Sequence, residues 1–216
     1  MRTKDRVTLD DLVGQTEAVR LLRNTEYGWI LIYGPMGCGK TSGALALAYE
    51  RTGIWLSGDG PDSSWYRKDG KMATVIRQIG KFLAKEDIPT GSYTPMLAPV
   101  AIRIIDEAQD INQKKLLSPL KALDYQSRER FLIFCTTDPG KLDRAIIDRC
   151  TRVHLQPLGR DQAVVLVEKI LGRPDADMAV KIHQAGITRP RAIIETVETV
   201  EKGLTLEAAI RNIKSL

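Results

Sequence analysis

The segment 29–41 (WILIYGPMGCGKT) constrains the fold of this chain more than any other stretch. Its first five residues predict a buried strand, a glycine-rich turn follows, and a helix-forming run begins at Lys40. Gly34, Gly39, Lys40 and Thr41 satisfy the phosphate-loop pattern G-x-x-x-x-G-K-[ST]. Glycines let successive backbone N–H groups point into one cavity, and the positive end of the following helix favours phosphate oxygens. The segment therefore predicts a triphosphate site between a strand and a helix.

The chemistry of triphosphates gives the loop residues their predicted roles. Lys40 would reach the β- and γ-phosphates, and the Thr41 hydroxyl would bind Mg²⁺. The alternative, a glycine-rich turn that fits the pattern by chance, is disfavoured by the strand before the loop and the Ala- and Leu-rich helix after it. We therefore predict ATP and Mg²⁺ as cofactors, and we assign nucleotide contacts to Gly34, Pro35, Gly37, Cys38, Gly39, Lys40, Thr41 and Ser42.

Composition places the chain among soluble globular proteins of one large or two small domains. Of its 216 residues 43% are hydrophobic and 27% are charged, and the net charge of +5 only weakly favours a polyanionic partner. Three widely spaced cysteines indicate neither a disulfide framework nor a zinc site. Because no signal region opens the chain and no apolar run reaches membrane-spanning length, we expect a cytoplasmic protein without a membrane partner.

Strands that alternate with helices, followed by helices alone, set the predicted organisation. Buried strands are predicted at 29–33, 54–56, 100–105, 131–135 and 153–155. Helices are predicted at 16–24, 40–51, 71–85, 114–123, 145–150, 162–171, 176–185, 188–202 and from 205 onward. Loop composition is found at 57–70 and 87–98. The pattern predicts a parallel-sheet α/β nucleotide-binding domain at 1–156 and a small all-helical lid domain at 157–216.

Single residues mark the predicted ends of the lid helices. Asp161, Thr188 and Thr205 carry side-chain oxygens that can accept hydrogen bonds from the free N–H groups of a first helical turn. Gly203 can end the helix predicted at 188–202, because glycine readily takes the left-handed conformation that closes a helix.

An acidic pair follows the strand predicted at 100–105. Asp106 can hold Mg²⁺ directly or through water, and Glu107 can polarise the attacking water as a general base. The alternative is that two carboxylates simply end a strand at the surface. The phosphate loop earlier in the chain favours the catalytic interpretation, so we predict an ATPase site.

A basic stripe and an aromatic-rich loop are the candidates for a nucleic-acid contact. Arg77, Lys81 and Lys85 stand four apart on the helix predicted at 71–85, so they share one face. A solvated helix face is the alternative interpretation. Trp65 in the preceding loop could stack on unpaired bases, with loop packing as the alternative. Contacts to phosphates would make DNA binding sequence-nonspecific and strongly salt-dependent.

Short segments in chain order resemble the motor subunits of DNA sliding-clamp loaders, which are AAA+ ATPases. They are the segment 107–109 (EAQ), the predicted helix at 116–123, the segment 131–155 (FLIFCTTDPGKLDRAIIDRCTRVHL) and the segment 13–15 (VGQ). The last of these resembles the family's motif near the adenine, which implies that Val13 contacts the nucleotide. Thr137 matches the sensor-1 position, whose polar side chain orients the water or the γ-phosphate. The resemblance implies a P-loop AAA+ fold with a helical lid.

Two arginines receive roles from the same resemblance. The segment 148–150 (DRC) resembles the Ser-Arg-Cys motif of clamp loaders with Asp in place of Ser, which implies that Arg149 is an arginine finger for the ATP of a neighbouring subunit. The segment 186–191 (GITRPR) resembles the sensor-2 helix start, also similar to that of bacterial branch-migration helicases. It implies that Arg191 contacts the γ-phosphate in cis. Guanidinium groups suit this role because charge develops on the transferring phosphoryl group. The competing residues are Arg144 for the finger and Arg189 for sensor 2.

Two departures from the clamp-loader pattern affect the predicted assembly. The chain leaves no room for the family's collar domain after Arg191, and it lacks the zinc-binding cysteines of the bacterial motor subunits. We therefore expect a ring to rest on the AAA+ modules themselves or on other proteins.

The predicted function is ATP hydrolysis at subunit interfaces, used to load or remodel a DNA-associated protein in replication or repair. The implied partners are other AAA+ subunits in a homo- or hetero-oligomer, DNA, and a sliding clamp or another replication protein, in a bacterial or phage-infected cell. A helicase loader, a transposition regulator and a branch-migration motor are alternatives with the same site. A structural adaptor that binds ATP without turnover is disfavoured, because Glu107, Thr137 and Arg149 are all present.

Overall fold

The structure, a computed structural model, describes residues 7–53, 63–68, 71–76, 101–110 and 130–215. A six-stranded sheet forms the centre of the described fold, with the order β2-β3-β4-β5-β1-β6. Its strands are β1 (Gly28–Tyr33), β2 (Ser63–Lys68), β3 (Lys71–Ile76), β4 (Ala101–Ile105), β5 (Arg130–Thr136) and β6 (Cys150–His154). Neighbours from β3 to β6 run parallel, and only β2 runs antiparallel, to β3. The predicted parallel α/β architecture is confirmed.

Strand β1 is anchored on both edges and on both faces. It lies between β5 and β6, so that Trp29 is paired with Leu132 on one side and with Cys150 on the other. Its four middle residues are buried, as expected for a strand of a parallel sheet that is covered on both faces. The carboxyl end of β1, where the phosphate loop begins, is therefore fixed by a buried inner strand of the described sheet.

In the described ranges, three α-helices cover the sheet and four form the lid. The sheet helices are α1 (Thr16–Asn24), α2 (Lys40–Thr52) and α3 (Arg144–Ile147). The lid helices are α4 (Arg160–Leu171), α5 (Ala176–Gln184), α6 (Pro190–Glu201) and α7 (Leu206–Lys214). Helix α3 ends three residues earlier than predicted and β6 begins already at Cys150, because the Asp148 and Arg149 N–H groups close a turn onto Arg144 and Ile146.

The lid helices share an apolar cluster of their own, which includes Leu166, Ile182, Ile193 and Val197. Thr205 caps α7 as predicted, since its hydroxyl accepts a hydrogen bond from the Ala208 N–H at 3.3 Å. The other two predicted lid caps are wrong, because each helix takes a neighbouring residue as its N-cap. Gly159 is the N-cap of α4 and Arg189 that of α6, in place of Asp161 and Thr188. At α6 the reason is Pro190, which fits the first helical position and disfavours helical geometry in the residue before it.

Two sequence predictions are wrong between α2 and β4. Part of the loop predicted at 57–70 is β2, and the start of the helix predicted at 71–85 is β3, which pairs parallel with β4. Aromatic and β-branched residues favour strands, and these strands are separated only by Asp-Gly, a strong hairpin signal. The strand predicted at 54–56, the helix predicted at 114–123, the loop predicted at 87–98 and the stripe of Arg77, Lys81 and Lys85 lie outside the described residues.

Polar contacts attach the lid to the sheet domain. The Gln15 side chain, although buried, donates to the Gln156 carbonyl at 2.7 Å and accepts from the Gln156 N–H at 3.1 Å. Lys169 of α4 forms an ion pair with Asp11 at 2.7 Å. These contacts join the segment before α1 to the segment that leads into the lid and to helix α4. Within the described part of the chain, every helix is too short or too polar to cross a bilayer.

Candidate active site

The phosphate loop has a backbone that requires glycine at its first position. Gly34 has a φ of 145°, and a Cβ built there would lie 2.1 Å from the Leu155 carbonyl oxygen. Gly39, with a φ of 93°, takes the left-handed conformation as the N-cap of α2. A side chain at either position would strain the backbone, and at Gly34 it would also overlap with the chain after β6. The loop therefore has the shape that the sequence pattern predicts.

Lys40 lies inside the curve of this loop. Only 7% of the residue is exposed, and its Nζ donates to the carbonyl oxygens of Gly34 at 2.9 Å and Pro35 at 3.0 Å. A buried ammonium needs such acceptors, because an unpaired charge would be costly there. A phosphate oxygen would offer the same ammonium a stronger, charge-assisted acceptor.

Thr41, in the first turn of α2, meets Asp106, which directly follows β4. The Thr41 Oγ1 lies 3.0 Å from each carboxylate oxygen of Asp106. A hydroxyl and a carboxylate are oxygen ligands of the kind that Mg²⁺ takes, together with waters and substrate phosphates. The residues thus fit the predicted metal, although the described residues contain no cluster of three or more acidic, His or Cys ligands.

Glu107 has an unusual backbone and a short side-chain contact. Its φ of 49° is the only positive value among the described residues other than glycine. Its Oε2 accepts a hydrogen bond from Nε2 of Gln109 at 2.6 Å. The Oε1 of Gln109 in turn accepts from the Thr136 hydroxyl at 2.6 Å. A residue that we predicted as the general base is therefore joined through one carboxamide to the end of β5.

Thr136, and not Thr137, occupies the place next to this cluster. Thr136 is 0% exposed, accepts a hydrogen bond from the Asp138 N–H at 3.1 Å, and is paired with Tyr33 immediately before the phosphate loop. Thr137 is exposed. The predicted sensor-1 residue thus lies one position beyond the threonine that contacts this cluster, because β5 runs one residue beyond the predicted strand, a difference that no local signal indicates.

The remaining predicted contact residues line the loop or its surroundings. Val13 packs against the apolar cluster of the lid, and Cys38 is buried in the core beneath the loop. Burial raises the pKa of the Cys38 thiol, and the positive charges of Lys40 and Arg189 only partly offset this effect. Cys38 is thus an apolar packing residue rather than a nucleophile. Pro35 is exposed and Ser42 is half-buried at the start of α2.

The lid places two arginines over the loop. The Arg191 backbone N–H donates to the Gly37 carbonyl at 3.1 Å. A Cβ built on Gly37 would lie 3.3 Å from the Cβ of Arg191 and 3.8 Å from the Cβ of Arg189. The structure therefore brings both the predicted sensor residue and its competitor to the site, from the first residues of α6.

Arg149 lies at the other end of the sheet. Its Nη1 donates to the Ala145 carbonyl at 2.7 Å, and its guanidinium carbon is 6.0 Å from the ring centroid of Trp29. Trp29 begins β1 and the loop follows the end of β1, so about 17 Å of extended strand separates them at roughly 3.3 Å per residue. The competing finger residue, Arg144, is on α3 with its side chain 92% exposed, in an ion pair with Asp148. The structure does not bring either arginine to the chain's own site.

Comparison with known proteins gives consistent matches. The family model described as "ATPase family associated with various cellular activities (AAA)" matches residues 30–158. Replication factor C subunit 3 of Saccharomyces cerevisiae is 30% identical over 80% of this chain, and DNA polymerase III subunit tau of Escherichia coli is 30% identical over 76%. The match spans 51% of the former and 28% of the latter. The chain thus spans about half of its replication factor C relatives and less of subunit tau.

Solved structures with the same fold share less of the sequence. A mutant of RuvB from Thermotoga maritima superposes with a TM-score of 0.66 at 16% identity, covering 98% of this chain and 73% of that chain. A Walker-type ATPase of Pyrococcus abyssi gives a TM-score of 0.67 at 13% identity, covering 98% of this chain and 74% of that chain. At such identities the likeness shows the fold alone.

Proposed function

The chain belongs to the AAA family of ATPases, and we propose that within this family it is a clamp-loader-like motor. It hydrolyses ATP at subunit interfaces and uses the cycle to load or remodel a DNA-associated protein in replication or repair. Its similarity to replication factor C subunits and to a DNA polymerase III subunit supports the replication setting. Other AAA subunits, sequence-nonspecific DNA, and a sliding clamp or another replication protein are the proposed partners, in the cytoplasm of a bacterial or phage-infected cell.

The separation of the two arginines is the observation that carries this proposal. Arg191 lies on the phosphate loop of its own chain, whereas Arg149 lies beyond the opposite end of β1. Among the described residues, neither finger candidate, Arg149 or Arg144, therefore reaches the chain's own phosphate loop. A guanidinium supplied by a neighbour makes hydrolysis depend on assembly, as in other phosphoryl-transfer enzymes that use a finger in trans.

Each site residue then has one task in the proposed cycle. Lys40 and Arg191 hold the β- and γ-phosphates, and Thr41 with Asp106 would hold Mg²⁺, which neutralises charge on the phosphates when bound. Glu107 accepts a proton from the attacking water. The place of Thr136 supports it, rather than Thr137, as the residue that orients this water.

Subunit mixing tests the shared site directly. Arg149→Ala keeps its own loop but lacks a finger, and Glu107→Gln keeps its finger but lacks the base. We expect each variant alone to be nearly inactive and their mixture to recover part of the ATPase activity, because one subunit's Arg149 completes the other's site. Arg144→Ala serves as the matched control and should stay active. Wild-type activity that does not depend on protein concentration, together with a mixture that stays inactive, would contradict the proposal.

The DNA contact needs a separate measurement. We propose that Arg77, Lys81 and Lys85 contact phosphates, because a helix that begins after β3 would still place these residues, four apart, on one face. Lys81→Ala should weaken binding to all DNA sequences alike and reduce by about one the slope of log affinity against log salt concentration.

Mass measurement of the assembly with a non-hydrolysable ATP analogue, with and without primed DNA, distinguishes the clamp-loader-like function from the alternative functions. A homomeric ring that forms without DNA would favour a branch-migration motor, and ATP binding without turnover would favour an adaptor.

A further inference from the structure

Gln109 joins two groups of the candidate site, and the proposed function gives it no task. Its Nε2 donates to Oε2 of Glu107 and its Oε1 accepts from Oγ1 of Thr136, both at 2.6 Å. The residue is half-buried and lies two positions after Glu107, on the turn that the Asp110 N–H closes onto the Glu107 carbonyl at 3.0 Å. One carboxamide thus occupies the gap between the proposed base and the buried hydroxyl.

Hydrogen bonding fixes which way round this carboxamide points. The Asp138 N–H donates to Thr136 Oγ1 at 3.1 Å, and the hydroxyl donates its single proton to Gln109. A carboxylate can only accept, so Glu107 requires the nitrogen of Gln109 and Thr136 requires its oxygen. The two ends of the carboxamide are therefore matched to their partners.

The same two hydrogen bonds are those that an attacking water would make. A water polarised by Glu107 must donate to the carboxylate, and a water oriented by the Thr136 hydroxyl accepts from it. We propose that Gln109 is a positioning residue whose carboxamide takes the place of the attacking water between Glu107 and Thr136. It holds Glu107 in a resting arrangement, and turnover requires Gln109 to move aside. This inference rests on the proposed ATPase function.

The backbone around Glu107 lets this side-chain contact be tested by itself. The Glu107 N–H donates to Oδ1 of Asp106 at 3.2 Å, and the Glu107 carbonyl accepts from Asp110. These bonds hold the left-handed backbone of Glu107 without any contribution from Gln109. A substitution of Gln109 therefore releases the carboxylate and leaves its main chain in place.

Two substitutions distinguish loss of the Gln109 amide donor alone from loss of the whole side chain. Gln109→Glu keeps the size and the acceptor for Thr136 but cannot donate to Glu107, and Gln109→Ala removes both contacts. We expect both to raise the basal kcat for ATP about tenfold, since a hydrogen bond to a charged group is worth about that factor in an equilibrium. The KM for ATP should stay within about twofold, because phosphate contacts are unchanged. Gln184→Ala, an exposed position at the end of α5, is the control and should equal the wild type.

The readouts distinguish this inference from the function on which it rests. Thermal unfolding and binding of an ATP analogue are measured for every variant, at a protein concentration that saturates assembly. The double variant Glu107→Gln/Gln109→Glu should be inactive, which shows that the gained turnover still passes through Glu107. Unchanged or lower kcat in both single variants, while the wild type hydrolyses ATP, would overturn the inference alone. Absence of turnover in the wild type and in both variants would overturn the proposed function with it.

Discussion

The two sides of the candidate site are held by different parts of the polypeptide. On the loop side the backbone dominates, with Gly34 and Gly39 in conformations that favour glycine. On the acidic side, side-chain hydrogen bonds link Glu107, Gln109 and Thr136. The first arrangement depends on the surrounding fold, whereas the second can change while the main chain stays fixed. Substitutions on the loop side should therefore alter stability, and those on the acidic side should alter turnover.

The largest effect is expected for Gly34→Ala on the loop side. The new Cβ would overlap with the Leu155 carbonyl in a backbone of φ 145°, so either β1 or the segment after β6 must move. We expect a loss of more than about 4 kcal/mol in the free energy of unfolding, together with loss of nucleotide binding. Urea unfolding and titration with an ATP analogue provide the measurements.

A glycine that also has a positive φ, but has free space around it, is the control for Gly34. Gly172 has a φ of 66° and no atom within 4 Å of a Cβ built on it. Gly172→Ala should cost only about 1–2 kcal/mol, the strain of the left-handed conformation itself. Equal losses for Gly34→Ala and Gly172→Ala would show that the loop side does not depend on its close approach to Leu155.

Glu107→Gln tests the acidic side, where we expect turnover to fall while stability stays nearly unchanged. We expect kcat to fall by about 10²- to 10⁴-fold, the range for loss of a general base. The free energy of unfolding should stay within about 0.5 kcal/mol, because the side chain is exposed. Single-turnover assays and urea unfolding measure the two quantities. A large fall in stability would place Glu107 with the structural residues of the loop side.

Gly37→Ala tests whether the contact between the phosphate loop and the lid contributes to nucleotide binding. The Cβ would lie 3.3 Å from the Cβ of Arg191 in a backbone of φ 79°. We expect a cost of about 1–2 kcal/mol and weaker binding of an ATP analogue by about tenfold, because the lid must shift away from the loop. Calorimetric titration measures the affinity. Unchanged affinity would mean that the contact of Arg191 with the loop does not support binding.

The smallest effect is expected from pH, through the attachment of the lid. Burial raises the pKa of Asp11, but hydrogen bonds from Lys169 and Thr8 outweigh it and hold this pKa below 3.8. A lowered carboxyl pKa stabilises the fold above the unfolded value, and this stabilisation is lost as the pH falls through the folded value. Because Lys169 is partly exposed, the loss should be below about 1 kcal/mol. Urea unfolding of the wild type and Asp11→Asn between about pH 3 and 6 should converge at the acid end.

The sequence predicted the loop side better than the acidic side for a physical reason. Four positions at fixed spacing define a backbone shape, so Gly34, Lys40 and Thr41 could be placed without tertiary information. The choice between Thr136 and Thr137 depends on where a strand ends. The task of Gln109 depends on which side chains meet across two strands. Neither the strand end nor these contacts can be recognised from the local sequence pattern.

The same limit explains the errors in the fold. Residues 71–76 have a helical apolar spacing, yet pairing with β4 makes them a strand, an override of local preference by tertiary context. The N-cap of α6 is Arg189 and not the predicted Thr188, because Pro190 restricts the backbone of the residue before it. The alternation of strands and helices was still predicted, because it depends on many residues rather than on one.

The central place of β1 has a consequence for synthesis of the chain. Its two partners, β5 and β6, begin about 100 and about 120 residues later, and Gln15 contacts Gln156, which lies 141 positions further along the chain. At about 5–20 residues per second, a ribosome takes roughly 5–20 seconds to deliver the first partner. Throughout that interval an apolar strand emerges with both edges unpaired, which is the kind of surface that aggregates. We expect nascent chains stalled before residue 130 to be held by chaperones and to be sensitive to protease.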